Sequence, residues 1–134
     1  MNPILKYGDN YIEFTDLCYF PEEAKRYNPY NCTAVLTVRS NGFAGVSPCD
    51  FDMRELIRFT DELRKMYDFK LNSTGIQEIG YGGTLDFSLD HTGHIRISGD
   101  VFGYAMQHEL KFEFEADQTS LAPFIAGLRQ FTER

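Results

Sequence analysis

Apolar positions along the chain repeat with two periods, and the change from one to the other marks out the elements. Over residues 11–15, Ile12 and Phe14 fall on one side and Tyr11, Glu13 and Thr15 on the other, the period of two that a half-buried strand requires. Ala34, Leu36 and Val38 repeat that pattern, and Asn41-Gly42 supplies a pair tolerant of positive φ, so a hairpin leads into "FAGVS". Between these strands "CYFPEEAKRYNPYN" follows neither period and reads as a long surface connection. Leu56, Phe59, Leu63 and Met66 then recur at helical spacing. Asp52 and Glu55 have the spacing of a capping box, and Phe51 and Leu56 that of a hydrophobic staple, which predicts a helix over about 52–67.

The second half alternates more regularly. Leu85, Phe87 and Leu89, then Ile95, Ile97 and Val101, then Leu110, Phe112 and Phe114 each occupy one face of a strand, with polar residues between them. The glycine-rich stretch before Thr84 reads as a flexible lead into the first of these strands. Phe124, Ile125, Leu128 and Phe131 share one helical face over about 121–132, with Pro123 in the first turn and the N-cap at or beside Ser120. Gly127 costs that helix about 1 kcal/mol relative to Ala, and points to a close backbone approach to the sheet. The expected architecture is α+β: one domain over 1–134, a mostly antiparallel sheet with both helices on one face, and the other face exposed to solvent. Asp86, Ser88, Arg96, Ser98, Glu109, Lys111, Glu113 and Glu115 are expected on that open face.

Composition agrees with a folded domain and narrows its partners. Twelve Phe and eight Tyr in 134 residues are enough to build one core. Twenty acidic against thirteen basic residues give a net charge of -7, which opposes binding to free nucleic acid and favours a basic partner. The N-terminus lacks the apolar stretch of a signal peptide, and no apolar run approaches the roughly 20 residues of a membrane span, so a cytoplasmic protein without a membrane partner is expected. Cys18, Cys32 and Cys49 form no CxxC pair and read as ordinary thiols.

Chemistry is sparse. "LDHTGH" groups Asp90, His91 and His94, yet the alternation on both sides makes it a hairpin corner in which Gly93 takes positive φ and Asp90 bonds nearby amides. His108-Glu109 lacks the second histidine of HExxH, and Gly75 and Gly80 have P-loop spacing without the Lys and Ser or Thr that would follow. Glu113 and Glu115 stand about 7 Å apart along one strand face, a glycosidase-like separation that a solvated strand also produces. No catalytic group, metal site or cofactor follows from these patterns. Tyr19, Phe20, Tyr27 and Tyr30, among Glu22, Glu23, Lys25 and Arg26, make the tyrosine-and-charge mixture of interface hot spots, or else close one end of the core.

The order of features resembles a bacterial family. From "YNPYNCTAVLTV" through "GFAGVSPCDFDMRELIRFTDELRKM" and "GTLDFSLDHTGHIRISGDV" to "HELKFEFEADQTSLAPFIAGL", roughly residues 30–131, the chain is similar to the WapI-type immunity proteins. Those are small cytoplasmic proteins that neutralise the toxic C-terminal domains of contact-dependent polymorphic toxins. The resemblance brings no catalytic residues and implies a non-enzymatic protein whose partner is a cognate toxin domain, basic if it is a nuclease. With the charge pattern, it nominates Tyr27, Tyr30, Asp86, Asp90, Glu109, Glu113 and Glu115 as partner contacts. Two alternatives stay open: a structural or regulatory interaction module, and a metal enzyme using His91, His94 or His108 with a nearby aspartate.

Overall fold

The computed structural model describes residues 1–133. Its strands are β1 (Ile4–Tyr7), β2 (Asn10–Tyr19), β3 (Cys32–Ser40), β4 (Phe43–Phe51), β5 (Ser73–Gln77), β6 (Thr84–Leu89), β7 (His94–Phe102) and β8 (Glu109–Asp117). The helices are α1 (Pro21–Lys25), α2 (Met53–Tyr67) and α3 (Leu121–Thr132). All strand pairs are antiparallel, so the fold is α+β as the alternating segments and amphipathic helices require. The strands divide into two four-stranded meanders, β1-β2-β3-β4 and β5-β6-β7-β8, where the sequence suggested a single sheet. Periodicity identifies the buried side of a strand but not the sheet it joins.

Four elements differ from expectation. β1 pairs with β2 around the Gly8-Asp9 turn, but Leu5 is its one fully buried residue, too few to display a period. β2 runs on to Tyr19 through a bulge between Thr15 and Cys18, where Asp16 takes φ 53°, and the extra residue breaks the alternation that marks a strand. The rest of the surface connection contains α1, and the glycine-rich lead contains β5, whose single deeply buried residue is Ile76.

Inner faces of both sheets feed one core. Ile12, Phe14, Leu36 and Val38 come from the first sheet, Phe87, Ile95, Ile97 and Phe114 from the second. α2 adds Leu56, Phe59, Leu63 and Met66, and α3 adds Leu121, Phe124 and Leu128. Phe124 stacks on Phe14 of the first sheet (6.1 Å, 21°) and on Phe87 of the second (5.9 Å, 21°), which seats α3 between the two. Gly127 does mark a close approach, to the N-terminal segment leading into β1: a Cβ there would lie 2.5 Å from Cα of Pro3. At the start of α3 a 3-10 turn, Gln118–Ser120, stands in for a side-chain cap, and Ser120 makes no capping bond.

Candidate protein-binding face

Three strands of the second sheet present the polar halves of their alternation on one face. β6 buries Leu85, Phe87 and Leu89 and exposes Asp86 and Ser88; β8 buries Phe112, Phe114 and Ala116 and exposes Glu109, Lys111, Glu113 and Glu115. The register then aligns rows across the sheet. Asp86 lies opposite Ser98, which lies opposite Glu113, while Ser88, Arg96 and Glu115 form the next row. Arg96 also reaches diagonally to Glu113 at 3.7 Å, but both side chains are well exposed, so the pair contributes less than about 1 kcal/mol. All eight residues expected on the open face are there, and carboxylates outnumber bases on it.

At one end of this face Asp100 and Glu109 form a carboxyl pair. A hydrogen bond that the protonated Glu109 carboxyl donates to Asp100, with a smaller contribution from desolvation, raises Glu109 above its ordinary value. Asp100 Oδ1 is buried and has no hydrogen-bond partner. Asp100 lies on the polar side of β7, where the alternation with Ile97 and Val101 puts it, opposite Lys111 of β8.

At the opposite end is the Asp90–His94 corner. Asp90 Oδ1 accepts from Thr92 Oγ1 at 2.6 Å, Thr92 N–H at 2.9 Å and His94 N–H at 3.1 Å, and Gly93 takes φ 90°. The hydroxyl of Thr92, aided by the two backbone donors and opposed by some desolvation, holds the Asp90 carboxyl down at about 2. His94 Nδ1 lies 3.0 Å from Thr92 Oγ1 and 3.6 Å from Asp90 Oδ2, on an exposed tip. The chemistry is that of a turn. Among the described residues no three His, Cys, Asp or Glu side chains converge as a metal would require.

The two tyrosines lie apart from this face. Tyr27, 90% exposed at φ 61°, follows α1, and Tyr30 donates its hydroxyl to the Ile79 carbonyl at 3.1 Å, tying its loop to the β5–β6 connection. Exposed apolar residues collect elsewhere, at Phe43 and Val46 of β4 and at Tyr104 and Met106 between β7 and β8. Phe43, Val46, Tyr104, His108, Glu109 and Leu110 line one open groove, and at Phe43 it meets a second groove bounded by Lys111 and Glu113. The acidic face and this apolar edge are therefore contiguous. Sequence reading passed over the edge because "FAGVS" served only as the returning strand of a hairpin.

The cavity enclosed by Leu36, Cys49, Ile76 and Val101 has a volume of about 10 Å³, at the threshold for a single water. Burial, reinforced by the nearby Glu78 carboxylate, pushes the Cys49 thiol up to about 12, so it stays protonated and un-nucleophilic at neutral pH. Glu78, itself buried, accepts from the backbone N–H groups of Asp50 at 2.7 Å, Gly80 at 2.5 Å and Tyr81 at 2.6 Å, and so fastens the β5–β6 connection to β4. Among the described residues no helix is long and apolar enough to cross a membrane.

The model of the immunity protein WapI-like family matches residues 4–134, which takes in β1 and α1 as well as the segments that carried the resemblance. No curated protein matches the chain.

Proposed function

We infer the function from one premise: the chain belongs to the WapI-like immunity protein family, and its role is that of an immunity protein. It acts in the cytoplasm by binding a cognate toxin domain and neutralising it, without chemistry of its own. The acidic outer face of the second sheet supports this reading best. Asp86, Glu113, Glu115 and Glu109 stand exposed there on a rigid sheet, within a chain of net charge -7. A nuclease toxin holds a basic surface for its phosphate substrate; an acidic protein is steered to that surface and shields it. Asp90, at one end of the face, and Tyr27 and Tyr30, apart from it, serve as secondary contacts.

Co-expression with the toxic domain encoded immediately upstream tests the reading, with growth rescue as the expected outcome and no rescue as the result against it. Reversing Asp86→Lys together with Glu113→Lys leaves the melting temperature unchanged, because both side chains are exposed. It raises the dissociation constant at least about tenfold, chiefly by slowing association at low salt. Unchanged affinity would place the contact surface away from this face.

A further inference from the structure

A sheet edge presents unpaired N–H and C=O groups, and proteins blunt such edges with charge, proline or a covering element. β5 is covered by α2: Arg58 donates to the Gly75 carbonyl at 2.9 Å, and Thr74 Oγ1 bonds Glu62 at 2.8 Å. β8 carries Glu109, Lys111, Glu113 and Glu115, and its Glu113 carbonyl accepts from Ser40 Oγ at 3.0 Å and Asn41 Nδ2 at 3.2 Å. β4 is treated unequally along its length. Its second half is occupied: Asp50 N–H goes to Glu78, Asp50 C=O receives Ile79 N–H at 3.0 Å, and Pro48 has no N–H to offer.

Its first half has no such cover. The β3–β4 register is unbroken from Cys32 opposite Phe51 to Ser40 opposite Phe43, so hydrogen-bonding direction alternates strictly along β4. Because Asp50 directs its N–H and C=O away from β3, Ala44 and Val46 do so too. Among the described residues no side chain or backbone group outside the sheet bonds either of them. Phe43 is 71% and Val46 61% exposed, with no charged side chain between them to deter pairing. The opposite wall of the groove is held in place: Tyr81 Oη accepts from Ala105 N–H at 2.8 Å, and Gly103 N–H bonds the His108 carbonyl at 2.8 Å. That wall keeps Ala105 and Met106 at φ 57° and 58°, conformations that non-glycine residues adopt at a cost of about 1–3 kcal/mol each.

We propose that the uncovered edge of β4 at Ala44 and Val46 receives an extended segment of the toxin domain, which adds to the first sheet as a fifth strand. This rests on the immunity reading and specifies where and how the partner docks. Main-chain bonds to Ala44 and Val46 fix the register, and alternate side chains of the incoming strand enter the groove between Phe43, Tyr104 and Leu110. Charge selects the occupant. The groove opens onto Glu109 and Glu113, so the segment combines apolar side chains with Lys or Arg; a second copy of this chain would bring like charges together.

The test uses the full chain co-purified with the toxic domain encoded immediately upstream, and reads amide hydrogen exchange residue by residue. Exchange at Ala44 and Val46 is expected to slow at least tenfold, about the worth of one net hydrogen bond, on complex formation. Val46→Pro removes one outward N–H without touching the β3 pairing; it raises the dissociation constant on the order of tenfold, whereas Val46→Thr does not. A complex that forms with unchanged exchange at Ala44 and Val46 overturns strand addition and leaves the immunity reading standing; no complex with the wild-type chain overturns both. Slow exchange at these amides in the free protein, together with a dimeric mass in solution, assigns the edge to a second copy and overturns the proposal. Should Val46→Pro fail to fold, the wild-type exchange measurement decides.

Discussion

Asn31 holds a helix N–H at the start of α2 that the capping-box spacing of Asp52 and Glu55 does not account for. Its buried carboxamide accepts from Met53 N–H at 2.7 Å and donates to the Asn28 carbonyl at 2.9 Å and to Asp52 Oδ1 at 3.3 Å. Asp52 accepts from Arg54 N–H as the cap should, but Glu55 turns away to Arg58 at 3.0 Å, and the reciprocal half of the box is not made. Burial would raise the Asp52 carboxyl; the side-chain and backbone bonds from Arg54, with the bond from Asn31, outweigh it and hold it below its usual value. Asn31→Ala therefore costs about 1–3 kcal/mol in urea unfolding, since it orphans a buried amide, while Glu55→Ala stays within about 0.5 kcal/mol. The reverse ranking would restore the capping box. Asp90 gives a prediction in pH. Its carboxyl is held at about 2 against an ordinary 3.8, so as pH falls the unfolded chain takes up the proton first. The stabilisation is complete above the ordinary value and is lost as pH falls from 3.8 towards 2. The melting-temperature gap between wild type and Asp90→Ala should hold steady near neutrality and shrink across that window. A gap that persists to pH 2 would trace to something other than the charge.

Elements were legible where a period was sustained and the partners of each residue were local. α2 and α3 lie where their apolar stripes put them, and β6, β7 and β8 where alternation did. β1 and β5 escaped because each buries one residue deeply, and the outer half of β2 because a bulge shifts the period. The acidic face was legible for the same reason as the strands, being the complement of their buried halves. The β4 edge was not, since an uncovered edge is defined by which strand fails to arrive beside it. Gly127 separates local from tertiary control. In an isolated helix Gly→Ala gains about 1 kcal/mol, but here the new methyl would lie 2.5 Å from Cα and 2.7 Å from N of Pro3, backbone atoms that cannot swing aside. Gly127→Ala is therefore destabilising, with a lower melting temperature. A higher one would show that the N-terminal segment does not bear on α3.

The division into two sheets is the feature of the whole molecule furthest from its sequence, because it depends on which strands meet across the core. One side chain gives that division a measurable consequence. Phe124 stacks on Phe14 and Phe87 and receives the edge of Phe59 at 6.4 Å and 80°, so it touches both sheets and the other helix at once. Phe124→Ala should cost about 3–5 kcal/mol, a large part of the roughly 5–15 kcal/mol that holds a domain of ordinary stability folded. The distribution of that loss is the sharper test. If the two meanders share one core, native-state amide exchange in β3, at Leu36, and in β7, at Ile97, should quicken by the same factor, because both open only when the whole core opens. If the sheets were separate folding units joined at a surface, the loss would fall mainly on one of them. Equal loss at both positions also matters for binding, because the acidic face belongs to the second sheet and the uncovered edge to the first. A partner that engages both then meets one rigid body, with the spacing between its charged and apolar contacts fixed before it arrives.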